Sequence, residues 1–158
     1  MMHNWFECKI RYEKTMENGL VKKVTEPYLV DALSFTEAEK RIIEEMTPFI
    51  SGEFTVSDIK RANYSELFTS SEDAADRWFK CKLFFITLDE KNGTEKKTST
   101  QILVQAADLR DSVKKLDEGM KGTLADYVIS SIAETAIIDV YPYKVEPDIR
   151  PEFSTEQQ

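Results

Sequence analysis

The sequence predicts an α+β fold made of two tandem β-β-α-β repeats. The letters WFECK at residues 5–9 return as WFKCK at residues 78–82, and further matches follow in the same order. Each copy then passes from period-two to helical spacing and back to period two. One helix per copy can cover one face of a sheet. We therefore expect six strands in a pseudo-twofold sheet or a half-open barrel.

The repeat divides the chain into four segments. Residues 1–68 form the first β-β-α-β repeat and residues 77–143 form the second. Between them, residues 69–76 carry three acidic and no basic side chains, which is typical of a solvated linker. Residues 144–158 lose the pattern and are rich in polar residues and proline, so we expect a mobile tail.

Each copy opens with a predicted hairpin. Apolar side chains recur at every second residue from Phe6 and from Phe79, which predicts a strand whose core face begins there. Asn-Gly at residues 18–19 and 92–93 predicts a type I′ turn, because both residues accept positive φ. Pro27 has no N–H to donate, so we expect an edge or a bulge in the first returning strand.

A helix follows the hairpin in each copy. Ser34 with Glu37 forms a capping box, and Asp108 is the corresponding cap in the second copy. Strand regions over residues 54–68 and 127–141 close the two units. The apolar helix positions that we expect to be buried are Ala38, Ile42, Met46, Leu109, Val113, Leu116 and Met120.

The composition is that of a soluble globular protein. Of the 158 residues, 41% are hydrophobic and 32% are charged, and no apolar run approaches the length of a membrane span. The first residues lack the basic and apolar regions of a signal peptide, so we expect a cytoplasmic protein. The net charge of −8 argues against a duplex-DNA binder that works through bulk positive charge.

The cysteine and histidine content predicts neither a metal centre nor a bound cofactor. Cys8 and Cys81 occupy the same place in the two copies, and neither belongs to a C-x-x-C pair. We expect free, buried thiols, as in a reducing compartment, with a disulfide between them as the open alternative. His3 is the single histidine, so a Cys/His metal site is excluded.

No catalytic signature occurs in the sequence. The phosphate-binding and nucleophile-elbow glycine motifs are missing, and a second histidine for acid–base work is lacking. Acidic residues recur as Glu44 with Glu118 and as Glu66 with Asp139, which is typical of solvated helix and strand faces. We therefore predict a non-enzymatic protein and rank catalysis third among the function classes.

Aromatic and basic residues share the strand face opposite the predicted core. Single-strand binders stack bases on aromatic side chains and hold phosphates with flanking cations. Two copies would supply two such platforms in series, so the favoured ligand is single-stranded DNA or RNA. The predicted contact residues are Trp5, Lys9, Arg11, Lys22, Lys23, Trp78, Lys80, Lys82, Phe84, Lys96 and Lys97.

Two alternatives explain the same residues. Trp5 and Trp78 could pack against the tail or the other copy, while the lysines only protect a strand edge. The same face, or the C-terminal tail, could also bind a protein partner, and a large exposed apolar patch beside the tryptophans would favour that alternative. The oligomeric state stays open, because an internal pseudo-dimer imitates a homodimer.

Six sequence blocks of this chain resemble an uncharacterised domain family of Bacteroides-type bacteria and their phages. The blocks are WFECK at 5–9, YLVDALSFTEAE at 28–39, GEFTV at 52–56, WFKCK at 78–82, IAET at 132–135 and DVYPY at 139–143. The resemblance covers about residues 4–143. It implies a phage or mobile-element setting, which favours roles in DNA metabolism, and it supplies no catalytic residue.

Overall fold

The computed structural model describes residues 3–143 and has the predicted α+β class. Two helices and eight strands form two mixed sheets of four strands each. The elements are β1 Trp5–Thr15, β2 Val21–Asp31, α1 Phe35–Met46, β3 Phe54–Ala62, β4 Glu66–Phe68, β5 Arg77–Asp89, β6 Thr94–Ala106, α2 Leu109–Gly119, β7 Asp126–Glu134 and β8 Val140–Tyr141. The tail at residues 144–158 lies outside the described residues.

The expected single sheet or half-open barrel is wrong, because the strands separate into two open sheets. The first sheet has the order β3-β1-β2-β8 and the second the order β4-β6-β5-β7. In each sheet the three long strands are antiparallel, and the short outer strand is parallel to its neighbour. Each closing strand region, expected as one piece, is divided into a long and a short strand.

The two short strands cross between the halves of the chain. β4 follows the first long strands but pairs with β6, with Leu67 opposite Leu103. β8 follows the second set but pairs with β2, with Val140 opposite Leu29. Each sheet is therefore completed by a strand from the other half, and neither half closes its own sheet.

Each helix holds the segment that arrives from the other half. The Arg41 guanidinium on α1 donates to the carbonyl of Pro142 at 3.2 Å and lies 4.5 Å from the centroid of the Tyr143 ring. At the corresponding place on α2, the Lys115 amine contacts the Glu72 carboxylate at 2.9 Å. These contacts fix the ends of the exchanged strands on the helix layer.

Both predicted hairpins are present, but their turns are longer than the expected two-residue type I′ turn. Residues 16–20 connect β1 to β2 and residues 90–93 connect β5 to β6. Gly19 and Gly93 take positive φ at the ends of these loops, which explains the Asn-Gly signal. Pro27 lies where β2 has no strand on its outer side, since β8 pairs only with Leu29 and Val30.

The helix caps agree with the prediction. The Ser34 hydroxyl accepts the backbone N–H of Glu37 at 3.1 Å, and the Asp108 carboxylate accepts that of Asp111 at 2.8 Å. The buried face of α1 is Ala38, Ile42 and Met46, as expected.

The buried face of α2 differs from the prediction. Leu109 and Val113 are 54% and 37% exposed, although both were expected in the core. Ser112 and Leu116 are the buried positions of the helix, and Met120 is buried just after it. The buried Ser112 hydroxyl donates to the carbonyl of Leu109, which satisfies its polar atom within the helix.

The molecule has four layers and three apolar cores. One core lies between α1 and the first sheet, and a second lies between α2 and the second sheet. The third lies between the two sheets and is formed by Trp5, Leu29, Trp78, Leu103 and Ile137. Within residues 3–143, neither helix combines the length and the apolar character that a membrane span requires.

Candidate nucleic-acid and protein interface

Both tryptophans lie in the core, so their predicted role as base-stacking platforms is wrong. Trp5 is 4% exposed and Trp78 is 3% exposed. The register places them on the predicted strand face, but that face packs against the other sheet at this end. Both indoles pack in the apolar core between the sheets, because an aromatic ring of this size gains most from leaving water.

The basic residues of the first sheet lie among acidic neighbours. Lys9 is half-buried and pairs in register with Asp58 of β3. The adjacent Glu7 contacts Lys60 at 3.9 Å. Arg11 is exposed one step further along the same face. This face carries charges of both signs, which weakens any field that would attract a phosphate backbone.

The lysine pairs after the hairpin loops are divided between two faces. Lys23 pairs with Glu13 on the tryptophan face, whereas Lys22 pairs with Lys14 on the helix side of the sheet. In the second sheet, Lys97 shares the tryptophan face, and Lys96 lies on the other side. The predicted contact set is therefore not one continuous surface, because successive strand residues point to opposite faces.

The second sheet keeps a compact part of the predicted set. Lys80 is exposed, and the amine of Lys82 lies 5.5 Å from the centroid of the Phe84 ring, within cation–π distance. Lys97 pairs in register with Ile86, the next outward residue of β5. Phe84 is partly exposed, so it is the predicted aromatic residue that can still reach a ligand.

Beyond Phe84 the outward residues of β5 are apolar and lack a covering layer. Ile86 is partly exposed, Leu88 is 66% exposed and Val128 of β7 is 48% exposed. Val128 pairs in register with Phe84, so the four side chains adjoin one another. We call Phe84, Ile86, Leu88 and Val128 the strand-face patch.

The sequence contained a signal for this patch that the repeat obscured. The outward residues of β5 at 84, 86 and 88 are apolar, whereas the positions corresponding to 84 and 86 in the first copy are Arg11 and Glu13. A side-by-side comparison of the outward positions shows that only the second copy has lost its charges. A solvated sheet face normally carries polar residues, so this difference indicates a contact surface.

A cavity of about 480 Å³ opens where the two sheets meet, and we call it the junction cavity. Trp5 and Trp78 form part of its wall, and Glu66 and Asp139 bring a carboxylate from each half. Its remaining lining residues are His3, Ser65, Leu67, Thr69, Gln105, Val140 and Pro142.

Burial raises the pKa values of both cysteine thiols and of Tyr64. Burial raises the pKa of the Cys8 thiol to about 12 and that of Cys81 to about 11. Both thiols are free and lie in separate helix–sheet cores, so the alternative of a disulfide between them is wrong. Burial, with the Glu7 charge beside it, raises the pKa of Tyr64 to about 12. Within residues 3–143, His, Cys, Asp and Glu side chains form no group of three or more that could hold a metal ion.

Comparison with known proteins gives a family and no further relative. No curated protein and no solved structure matches the chain. A family model described as Domain of unknown function (DUF4494) matches residues 4–143, which is nearly all of the described structure. The chain therefore belongs to the DUF4494 family.

Proposed function

We propose that this chain is a non-catalytic protein-binding module whose contact surface is the strand-face patch. The observation that carries the proposal is an adjoining set of exposed and half-exposed apolar side chains on a sheet face that neither helix covers. Such patches on soluble proteins mark interaction sites more often than solvated surface. The aliphatic side chains of Ile86, Leu88 and Val128 offer no flat ring for a base, which favours a protein ligand.

The surroundings of the patch indicate the chemistry of the partner. Lys82 and Lys97 flank the apolar side chains, and so do Glu95 opposite Leu88 and Asp126 opposite Ile86, so the rim of the patch carries charges of both signs. β7 is the edge strand of its sheet: it pairs with β5 on one side and with no strand of residues 3–143 on the other. Its sequence, DYVISSIAE, contains no lysine, arginine or proline, and residues 126–129 beside the patch precede the bulge of this strand. We propose an apolar segment with polar flanks that adds as a strand to β7 and covers Val128.

Affinity purification from host cells, compared between matched variants, tests this proposal. Leu88→Ser with Val128→Ser removes the apolar surface without touching the three cores. Phe49→Ser is the matched control, because Phe49 is 76% exposed and lies outside the patch. We expect one protein to be recovered with the wild type and with Phe49→Ser, and to be lost with the patch variant.

Equal recovery with both variants would contradict the proposal. Light scattering on the same samples separates a foreign partner from a second copy of the chain. A wild-type dimer that becomes a monomer in the patch variant would assign the patch to self-association, and would also contradict a foreign partner.

Single-stranded nucleic acid is the second candidate, supported by the Lys82 amine over the Phe84 ring and by the neighbouring Lys80 and Lys97. One ring flanked by cations is the minimal form of a stacking site. Fluorescence anisotropy with a labelled single strand at two salt concentrations tests it. Saturable binding that weakens with salt and with Phe84→Ala would support nucleic acid, and no binding at low salt would eliminate it.

We also infer that the chain is an internal duplication of one β-β-α-β unit with a short exchanged strand. The support is that corresponding pairs recur: Leu29 with Val140 and Leu103 with Leu67. The free, buried thiols fit a reducing compartment, so we propose a cytoplasmic location. The resemblance to a domain family of Bacteroides-type bacteria and their phages supports a phage or mobile-element setting.

A further inference from the structure

The junction cavity has the size and position of a ligand site. Its volume of about 480 Å³ lies within the range of about 300–1,000 Å³ that small-molecule sites occupy. It lies between the two sheets, at a boundary where such sites are common. The strand-face patch does not contribute to its wall, so the cavity is separate from the surface proposed above.

The charge in the cavity is negative. Glu66 and Asp139 are both exposed, and neither forms an ion pair with another of the described residues. Asp139 accepts the backbone N–H of Val140 at 2.8 Å through Oδ1, and no described residue donates to its Oδ2. The lining contains no lysine and no arginine. The nearby Asp31 carboxylate is already engaged, since it contacts the His3 ring and accepts the backbone N–H of Asn4 at 3.1 Å. The cavity therefore favours a cation and disfavours a phosphate or carboxylate ligand.

Two hydrogen-bond donors in the cavity wall have no acceptor. The indole side chains of Trp5 and Trp78 are more than nine-tenths buried, and neither indole N–H has an acceptor among residues 3–143. Neither nitrogen is wholly enclosed, because the Tyr143 hydroxyl is the only enclosed, unpartnered side-chain group in that part of the chain. Both side chains line the cavity, which is the accessible space next to these N–H groups.

We propose that the junction cavity binds a small organic cation that carries an amine together with hydroxyl oxygens, that is, an amino sugar or a related amino alcohol. The Glu66 and Asp139 carboxylates accept hydrogen bonds from its ammonium and hydroxyl groups. The two indole N–H groups donate to its oxygens. Because Trp5 is 4% and Trp78 is 3% exposed, the indoles act as donors and not as stacking surfaces.

Titration of the full chain with three matched probes tests the proposal. D-glucosamine carries both the amine and the hydroxyls, D-glucose lacks the amine, and cyclohexylamine lacks the hydroxyls. Calorimetry measures affinity and stoichiometry. The chain contains two tryptophans, so a ¹⁵N-labelled sample gives two indole N–H signals that report on the cavity wall. We expect one-to-one binding of glucosamine that shifts both signals, with affinity at least about tenfold above either other probe.

Substitutions in the cavity complete the test. Glu66→Gln and Asp139→Asn should each weaken glucosamine binding by about tenfold. Glu118→Gln is the control, because Glu118 is an exposed acid on α2 outside the cavity. The proposal is overturned if glucosamine does not saturate the wild type, if cyclohexylamine binds equally well, or if all three variants behave alike. The wild-type titration decides the question alone if a variant fails to fold.

Discussion

At the scale of single residues, Trp5 and Trp78 show that the outward face of β1 and β5 is packed against a second sheet at one end. Alternation along β1 and β5 assigns each tryptophan to the outward face, and the register agrees. Alternation cannot tell whether an outward face meets water or a second sheet, because both arrangements have the same period. Only the tertiary structure shows what covers the face, and there Trp5 and Trp78 pack between the two sheets.

Trp78→Ala should lower the free energy of unfolding by about 3–5 kcal/mol, because it leaves a large void between the sheets. Urea denaturation followed by circular dichroism measures the change. Leu88→Ala is the control: Leu88 is 66% exposed, so its truncation should cost less than about 1 kcal/mol. Similar small costs for both variants would place Trp78 on the surface and restore it as a ligand contact.

The two cysteines should be inert in the folded protein. Burial raises the pKa of Cys8 to about 12 and that of Cys81 to about 11, so both stay protonated at neutral pH, and the thiolate is the reactive form. We expect no alkylation by iodoacetamide at pH 8 until urea unfolds the chain, as read by mass spectrometry. Rapid labelling of either thiol without denaturant would show that its core is open.

At the scale of elements, local signals predicted the hairpins and the helix starts but not the strand exchange. Turn glycines and capping side chains act on residues close in sequence, so a short stretch of sequence is enough to predict them. β4 and β8 are three and two residues long, too short for periodicity to register. Their pairing with the opposite half is decided by Leu67 and Val140 filling the core between the sheets. The exposure of Val113 is also decided by tertiary packing, because Ser112 and not Val113 occupies the helix position that faces the second sheet.

Gly119→Ala tests the contact between α2 and the exchanged strand β4. A Cβ at this position would lie 2.5 Å from the ring of Phe68, which β4 brings from the first half. Overpacking costs about 1–3 kcal/mol, whereas alanine in place of glycine favours a helix by about 1 kcal/mol. We expect a net destabilisation of about 1 kcal/mol in urea denaturation.

A smaller side chain at position 68 distinguishes the clash with Phe68 from an effect of Gly119→Ala on the helix itself. Phe68→Leu should relieve the clash, so the cost of Gly119→Ala in that background should vanish or change sign. A Gly119→Ala chain that is more stable than the wild type would mean that Phe68 does not rest on α2.

At the scale of the whole molecule, the exchange of strands joins the two halves into one folding unit. Each sheet needs a strand from the other half, and the helices hold the arriving segments through Arg41 and Lys115. We therefore expect one cooperative transition, in which tryptophan fluorescence from between the sheets and circular dichroism from both halves give the same midpoint. Two separated transitions would show that the halves unfold independently.

The strand-face patch on the second sheet is exposed, so folding of the chain gives no reason for its apolar side chains. The core and helix contacts of this sheet lie on the opposite side, and the first sheet carries charges at the matching positions. A photo-crosslinking amino acid at position 128, compared with one at position 49, locates the partner most directly. Both sites are exposed, so they label equally well by chance encounters.

The strand-face patch predicts one dominant covalent adduct from position 128 in host cells, lost when Leu88→Ser is added, and no matching adduct from position 49. Adducts of equal yield from both positions, or none from position 128, would contradict a docking role for this face.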